Sequence, residues 1–261
     1  MTLIVSDISR YGIIMVGDSA VTRRMGGVKT VSDDAFKVQY ADAANIGFAV
    51  WGNAGVPGRR MDYWINDFIN DSVKGGASVE ETGQKLATSL NEILEKSGRE
   101  WKDLVRGVHL TGYRDGLPVL FHVHCGHEGE PSHELRLYHD YPDDQKWNER
   151  EFRSLLQDGF IHLRNGYHKL FGPLFQQALG YAEHLRREFK MEFPHHSLRG
   201  RFDFYKVLVK FIAGTLIASQ EHPGVNEKLS AIAFDQSGLI INEQLVIPAG
   251  PVKAGAFDEF L

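Results

Sequence analysis

The second residue of the chain, Thr2, can act as a nucleophile if Met1 is removed, because it then carries a hydroxyl and a free α-amine. The unperturbed pKa of an α-amine is ~7.7–8.0, so the amine can serve as general base for its own hydroxyl near neutral pH. Such chemistry needs a cation that disfavours protonation of the amine and a carboxylate that holds this cation. It also needs backbone N–H groups facing the developing oxyanion, which favours a glycine there.

Candidates for all three groups follow Thr2 along the chain. Asp18 ends the strand-like run "GIIMVGDS", Lys37 lies in the strand-like run "AFKVQY", and Gly52 follows "FAVW". Because a hairpin returns the end of its second strand to the start of the first, we expect Asp18 to lie beside Thr2. The alternatives are an ordinary strand end for Thr2, a structural ion pair or solvated turn residues for Asp18 and Lys37, and an ordinary turn for Gly52.

The elements that must position these residues are two hairpins within the first fifty or so residues. "TLIVSDI" pairs with "GIIMVGDS", and "AFKVQY" pairs with "NIGFAVWG". The first two runs are apolar on both faces, which is typical of strands covered on both sides. Two amphipathic helices follow, the second beginning with the capping-box pair Ser78 and Glu81. Two or three further strands come next, including a hairpin around Arg114-Asp115-Gly116.

The remaining chain is predicted to be mostly helical from about Asp144 to Glu221, with interruptions at Gly172-Pro173 and at "FPHHSLRG", before a final hairpin. This order predicts an α+β fold of two packed sheets, each shielded on its outside by helices. Nothing divides the chain, so we expect a single domain over residues 1–261, with an enlarged helical region at about 126–200. Four aromatic residues are predicted to lie in the core: Trp51, Trp64, Phe68 and Phe211.

Composition narrows the classes of function. The net charge of −5 argues against a nucleic-acid or anionic-membrane surface, and Cys125 as the single cysteine excludes an intrachain disulfide. We find neither a signal peptide nor an apolar run of about 20 residues, so we expect a cytoplasmic protein. His122, His124, Cys125 and His127 are close in sequence, but no second ligand pair accompanies them. We therefore expect no metal and no organic cofactor.

The order of Thr2 behind Met1, "GDS" at Asp18, "FKV" at Lys37 and "WGNAG" at Gly52 resembles the proteasome β-subunit group of N-terminal nucleophile (Ntn) hydrolases. Because we expect no propeptide, the chain resembles the bacterial HslV- and Anbu-type relatives more than the archaeal or eukaryotic β subunits. The resemblance covers the first fifty-five or so residues in detail and the rest in element order. It implies a four-layer αββα sandwich.

The resemblance also implies a role for each matching residue. Thr2 would be the nucleophile with its own amine as base, and Lys37 would tune that amine. Asp18 would orient the lysine, and the Gly52 N–H would help form the oxyanion hole. Ser19, next to the acid, would have a supporting role.

Further positions follow from the same resemblance. Ala35, Val50 and Ala54 would lie near a small, apolar specificity pocket. The family has a serine and an aspartate in later loops that support the N-terminal amine. Here His168 stands about where the serine is expected, and Glu221 lies in the loop where the aspartate is expected.

Three functions are compatible with these residues. The first is a threonine peptidase that assembles as a homo-oligomeric ring or spiral and cleaves peptides or unfolded proteins through an acyl-enzyme at Thr2. The second is a small-molecule amidase of the same fold, since fold does not determine substrate. The third is a catalytically inactive ring or scaffold subunit. An unfoldase ATPase is a candidate partner, although the sequence itself gives no sign of one.

Overall fold

The N-terminal hairpin lies inside the first of two large sheets in the computed structural model. The structure describes residues 2–25, 28–53, 55–96, 106–125, 134–142, 148–158, 160–166, 168–190, 197–219 and 225–244. The first sheet is antiparallel. Its strands, in spatial order, are β12 (Phe160–Gly166), β1 (Leu3–Ser9), β2 (Gly12–Asp18), β13 (Leu229–Asp235) and β14 (Gly238–Glu243). β1 and β2 are therefore inner strands, as their two apolar faces predict.

The second large sheet contains the other two predicted hairpins and is also antiparallel. Its strands, in spatial order, are β11 (Arg136–Tyr141), β10 (Leu117–His124), β9 (Arg106–Arg114), β6 (Ile46–Gly52) and β5 (Val38–Ala41). The turn between β9 and β10 has positive φ at Asp115 and Gly116, as a two-residue hairpin turn requires. Two short hairpins complete the strands: β3 (Val21–Met25) with β4 (Val28–Ser32), and β7 (Gly55–Val56) with β8 (Arg59–Arg60).

Five α-helices accompany the sheets in the described residues. They are α1 (Met61–Ser72), α2 (Val79–Lys96), α3 (Glu149–Asp158), α4 (His168–Phe189) and α5 (Leu198–Ala218). The predicted capping box at the start of α2 is confirmed. The Glu81 N–H donates to Ser78 Oγ at 3.1 Å, and the Ser78 N–H donates to Glu81 Oε2 at 3.1 Å.

Alternate residues of β1 show how the sheets and helices share the core. Leu3 and Val5 belong to a buried cluster with residues of α4 and α5. Ile4 and Ile8 belong to another cluster, which includes Leu120 from the second sheet. On the far side of the second sheet, α2 packs against β9 and β10. The chain therefore has a mixed α and β fold with antiparallel sheets.

The region predicted to be helical contains a strand. β12 lies within residues 126–200 and pairs with β1, so that Ile8 faces Ile161. Its short alternation, Ile161 and Leu163 against His162 and Arg164, favours a strand, although long helical patterns flank it. The predicted break at Gly172-Pro173 is wrong, because α4 continues through Pro173. Pro173 is the sixth residue of α4, so the helix continues although its ring removes one intrahelical hydrogen bond.

Phe211 is not a core residue. Its side chain is 60% exposed, whereas Trp51 and Phe68 are buried as predicted. The buried face of α5 runs through Tyr205, Val209 and Ile212, and Phe211 points about 100° away from Ile212. Apolar residues nearly encircle this helix, so its sequence alone does not identify the buried side.

A buried ion pair joins β1 to α5. Arg201 donates to both carboxylate oxygens of Asp7 at 2.7 Å, and the Tyr205 hydroxyl donates to Asp7 Oδ1 at 2.7 Å. All three residues are almost fully buried. A buried carboxylate needs such a full set of donors, so this group fixes β1 against the helix and with it the start of the chain.

His109 links the two large sheets through a buried hydrogen-bond network. Its Nδ1 lies 2.9 Å from Ser6 Oγ on β1, and its Nε2 lies 2.6 Å from Asn165 Oδ1 on β12. Burial lowers the pKa of His109 to about 4; the hydrogen bond that its ring donates to Asn165 Oδ1 opposes this change, and the nearby His124 adds to it. The ring is therefore neutral in the folded protein near pH 7.

Acidification from pH 7 to pH 5 is expected to destabilise the fold through His109. Between its unfolded pKa of about 6.5 and its folded pKa of about 4, the unfolded chain binds a proton that the buried ring does not. The free energy of unfolding therefore falls as pH falls, by roughly 2 kcal/mol at pH 5 for this group. His109→Gln should lose about 2 kcal/mol less than the wild type over this range in urea unfolding. Equal losses in both proteins would contradict this assignment.

Of the helices in the described ranges, none combines the length and the apolar character needed to cross a bilayer.

Candidate active site

The β1–β2 hairpin brings Asp18 next to the start of the chain. The register pairs Ile4 with Gly17, and one step further the Leu3 N–H donates to Asp18 Oδ1 at 2.7 Å. The Ala20 N–H donates to Asp18 Oδ2 at 3.1 Å. Thr2 is 4% exposed and Asp18 is fully buried. The carboxylate is therefore held by backbone donors from both sides of the hairpin.

Lys37 reaches the same carboxylate from the other sheet. Its Nζ donates to Asp18 Oδ1 at 2.9 Å, and its side chain is 6% exposed. Lys37 lies immediately before β5, and its carbonyl accepts the Val50 N–H at 2.9 Å. Lys37 is therefore fixed at both ends: β6 binds its backbone and Asp18 binds its ammonium group. The site excludes most solvent.

Gly52 is the last residue of β6 and has a φ of +82°. A residue with a Cβ would be strained in this conformation, so the glycine is required by the backbone. It lies opposite Arg106 of β9, whose buried guanidinium donates to the Gly55 carbonyl at 3.0 Å. Arg106 thus holds the segment that follows Gly52.

These residues line one small pocket of about 20 Å³, which has room for about one water molecule. Its walls comprise Thr2, Val21, Ala35, Lys37, Val50, Trp51, Gly52, Met61 and Asp62. The structure therefore brings together six residues singled out from the sequence: Thr2, Lys37 and Gly52, with Ala35 and Val50 in the wall and Asp18 bound to Lys37. Ala54 lies outside the described residues.

Ser19 connects this site to the segment before the last hairpin. Its Oγ lies within hydrogen-bond distance of two acceptors, Asn226 Oδ1 at 3.1 Å and the Lys228 carbonyl at 2.9 Å. Its N–H also faces both groups, at 3.2 and 3.0 Å. Asn226 is thus a supporting residue that sequence reasoning missed. The polar run "NEK" directly before a strand-like run was the available signal.

The other two residues predicted to support the amine cannot be placed against it. His168 is the first residue of α4, and its side chain lies outside the described part of the chain. Glu221 lies outside the described residues altogether. Within the described ranges, no group of three or more histidine, cysteine, aspartate or glutamate side chains is arranged to hold a metal ion.

Asp62, at the start of α1, is a second residue that the sequence analysis missed. It lines the pocket and accepts the Phe36 N–H at 3.2 Å, next to Lys37 in the chain. Arg60 donates to Asp62 Oδ1 at 3.0 Å and to Asp34 Oδ2 at 3.0 Å. Burial lowers the pKa of Arg60, but the two carboxylates outweigh it and the net pKa is raised. This charge cluster holds the segment that carries Lys37.

No protein-family model and no curated protein matches the chain. Solved structures do match it, and they show the class of fold. The fold is proteasome-like. The Anbu (Gly-1) mutant from Hyphomicrobium sp. strain MC1 has a TM-score of 0.53 at 10% identity, over 94% of this chain and 88% of that one. Anbu from the same organism has a TM-score of 0.51 at 14% identity, over 93% and 87%.

A third similar structure is Anbu (ancestral beta-subunit) from Yersinia bercovieri. Its TM-score is 0.52 at 12% identity, over 94% of this chain and 89% of that one. At these identities the likeness shows a shared fold, and it carries no information about activity.

Proposed function

We propose that the chain is a threonine hydrolase that cleaves peptide bonds through an acyl-enzyme at Thr2 once Met1 is removed. One observation carries this proposal: Thr2, the buried Lys37–Asp18 pair and the positive-φ Gly52 converge on a single small pocket. A structural ion pair does not require, beside it, a hydroxyl residue at the start of the first strand and a glycine in a backbone conformation that other residues rarely adopt.

Each group then has a defined task. The Thr2 amine takes the proton of the Thr2 hydroxyl as the oxygen attacks the carbonyl carbon, and the Gly52 N–H donates to the oxyanion. The Lys37 charge keeps the amine neutral, and Asp18 holds Lys37. The amine then protonates the leaving nitrogen, an ester forms on Thr2, and water activated by the same amine hydrolyses it.

The size of the pocket supports a preference in substrate. A cavity of about 20 Å³ between Ala35 and Val50 accepts a small, uncharged side chain next to the scissile bond. A bulky aromatic side chain would have to displace one wall. We therefore propose peptides with alanine or a residue of similar size at this position as substrates.

Two coarser features of the fold extend the proposal. Helices packed outside two sheets that share a core support a four-layer αββα sandwich.

Val207 and Phe211, one turn apart on α5, are 66% and 60% exposed. Large apolar side chains exposed together are typical of contact surfaces, which supports assembly with further copies of the chain.

Exposure of the purified protein to a peptide epoxyketone tests the proposal. The two electrophilic carbons of this reagent match a hydroxyl and a free amine on one residue, so a single adduct is expected on Thr2. Intact mass spectrometry should show a chain without Met1 that gains one reagent mass. The isosteric variant Thr2→Val should gain none.

Three results would reject the peptidase. A mass that includes Met1 means that the Thr2 nitrogen is an amide and cannot act as base. A trimmed chain that forms no adduct would favour the inactive scaffold subunit. Adduct formation together with hydrolysis of small amides but not of fluorogenic peptides would favour the amidase.

A further inference from the structure

Trp51 lines the pocket between Val50 and Gly52, and its indole ring reaches His122 on β10, two strands away in the second sheet. The register of β6 and β9 pairs Trp51 with Gly107. A Cβ on Gly107 would lie 2.5–2.7 Å from three atoms of the indole. Gly107 therefore leaves the space in which the ring lies, and any side chain there would displace it.

The indole N–H ends on a histidine two strands away. Trp51 Nε1 donates to His122 Nε2 at 2.7 Å, and His122 lies on β10 and is 2% exposed. An indole N–H is a donor only, so His122 Nε2 must accept and the ring carries its proton on Nδ1. This Nδ1 faces Asp140 Oδ2 of β11 at 3.7 Å. Residues of three strands beside its own, β9, β10 and β11, thus confine the Trp51 side chain, with Asp140 of β11 acting through His122.

Neighbouring rings also confine His122. His109 meets it edge-on at 4.9 Å between ring centroids, and His124 lies 4.3 Å from it. The imidazole is therefore held in one orientation, with its acceptor nitrogen directed at the indole. A core that needed only packing volume would be filled by an apolar side chain here, and the buried indole N–H would then have no acceptor.

We infer that His122 is a positioning residue for the proposed hydrolysis, which rests on the function proposed above. By accepting the Trp51 N–H, it fixes the residue that precedes Gly52. Gly52 has no side chain to hold its own peptide group, so the direction of its N–H depends on its neighbours in the chain. A displacement of about 1 Å at such a donor lowers a rate by about 100-fold.

The test compares His122→Leu, which removes the acceptor, with His122→Gln, whose amide oxygen can replace it. We expect the maximal rate of epoxyketone adduct formation to fall by about 10- to 100-fold in the leucine variant, with little change in half-saturating concentration. The glutamine variant should recover to within about 3-fold of the wild type. His139→Leu, on the exposed edge strand β11, is the matched control and should react like the wild type.

A second perturbation acts on the indole ring through Gly107 of β9. Gly107→Ala leaves His122 intact but pushes the indole, so we expect the same loss of maximal rate. The indole ¹⁵N–¹H resonance of Trp51, identified by its absence from Trp51→Phe, should move upfield in His122→Leu as the hydrogen bond is lost. This signal does not depend on activity.

The outcomes separate the two proposals. A trimmed wild-type chain that forms no adduct rejects the hydrolase. An active wild type with a leucine or alanine variant that is equally fast rejects the positioning role alone. An indole resonance that does not move in His122→Leu rejects the positioning role whatever the activity is.

Discussion

The variant Thr2→Ala is expected to lower peptide turnover by about 10³-fold or more. Alanine removes the hydroxyl that would form the acyl-enzyme. A water molecule is the remaining nucleophile, and it is not held in position beside the scissile bond. The substitution deletes only a methyl and a hydroxyl from a residue at the strand end, so the fold should persist. Turnover of a fluorogenic peptide with alanine before the scissile bond measures the effect, with urea unfolding as the check on folding.

Two further variants make this result specific. Thr2→Ser keeps a hydroxyl beside the amine, primary in place of secondary, and should retain measurable turnover. Thr88→Ala removes a hydroxyl that donates to the Gln84 carbonyl on the exposed face of α2, and this variant should turn over peptide like the wild type. Full turnover in Thr2→Ala would refute the mechanism.

The variant Lys37→Met is expected to reduce both turnover and stability. Loss of the ammonium leaves Asp18 as a fully buried carboxylate whose remaining donors, among the residues that the structure describes, are the N–H groups of Leu3 and Ala20. Breaking one side of a buried pair lowers the free energy of unfolding by about 3–5 kcal/mol. Turnover should fall by about 100-fold or more, because the charge that keeps the amine neutral is lost.

The double variant Lys37→Met with Asp18→Asn separates the two effects. It removes both charges, so part of the lost stability should return while turnover stays low. Lys96→Met breaks an exposed pair with Glu92 at 3.9 Å and should change stability by less than about 1 kcal/mol. A Lys37→Met protein as stable and as active as the wild type would contradict the assignment.

The hairpins and the capping box at the start of α2 could be predicted because their sequence signals are local. β1 and β2 show period-two apolar residues with a short turn, and Ser78 and Glu81 are three residues apart. Once the β1–β2 register is known, the position of Asp18 beside the start of β1 follows, since pairing in a short hairpin leaves little freedom. β12 escaped prediction because an edge strand of seven residues carries a weak pattern between two helices.

The sequence by itself thus determined the types and the order of the groups around Thr2: a carboxylate, a lysine and a glycine, each at or directly beside the end of a strand. Only the tertiary structure decided what surrounds them. Ser19 and Asn226 are 207 residues apart, and Trp51 and His122 are 71 apart, so no local pattern connects them. The physical reason is that strand pairing and sheet packing bring distant side chains together, and the size of the pocket depends on that packing.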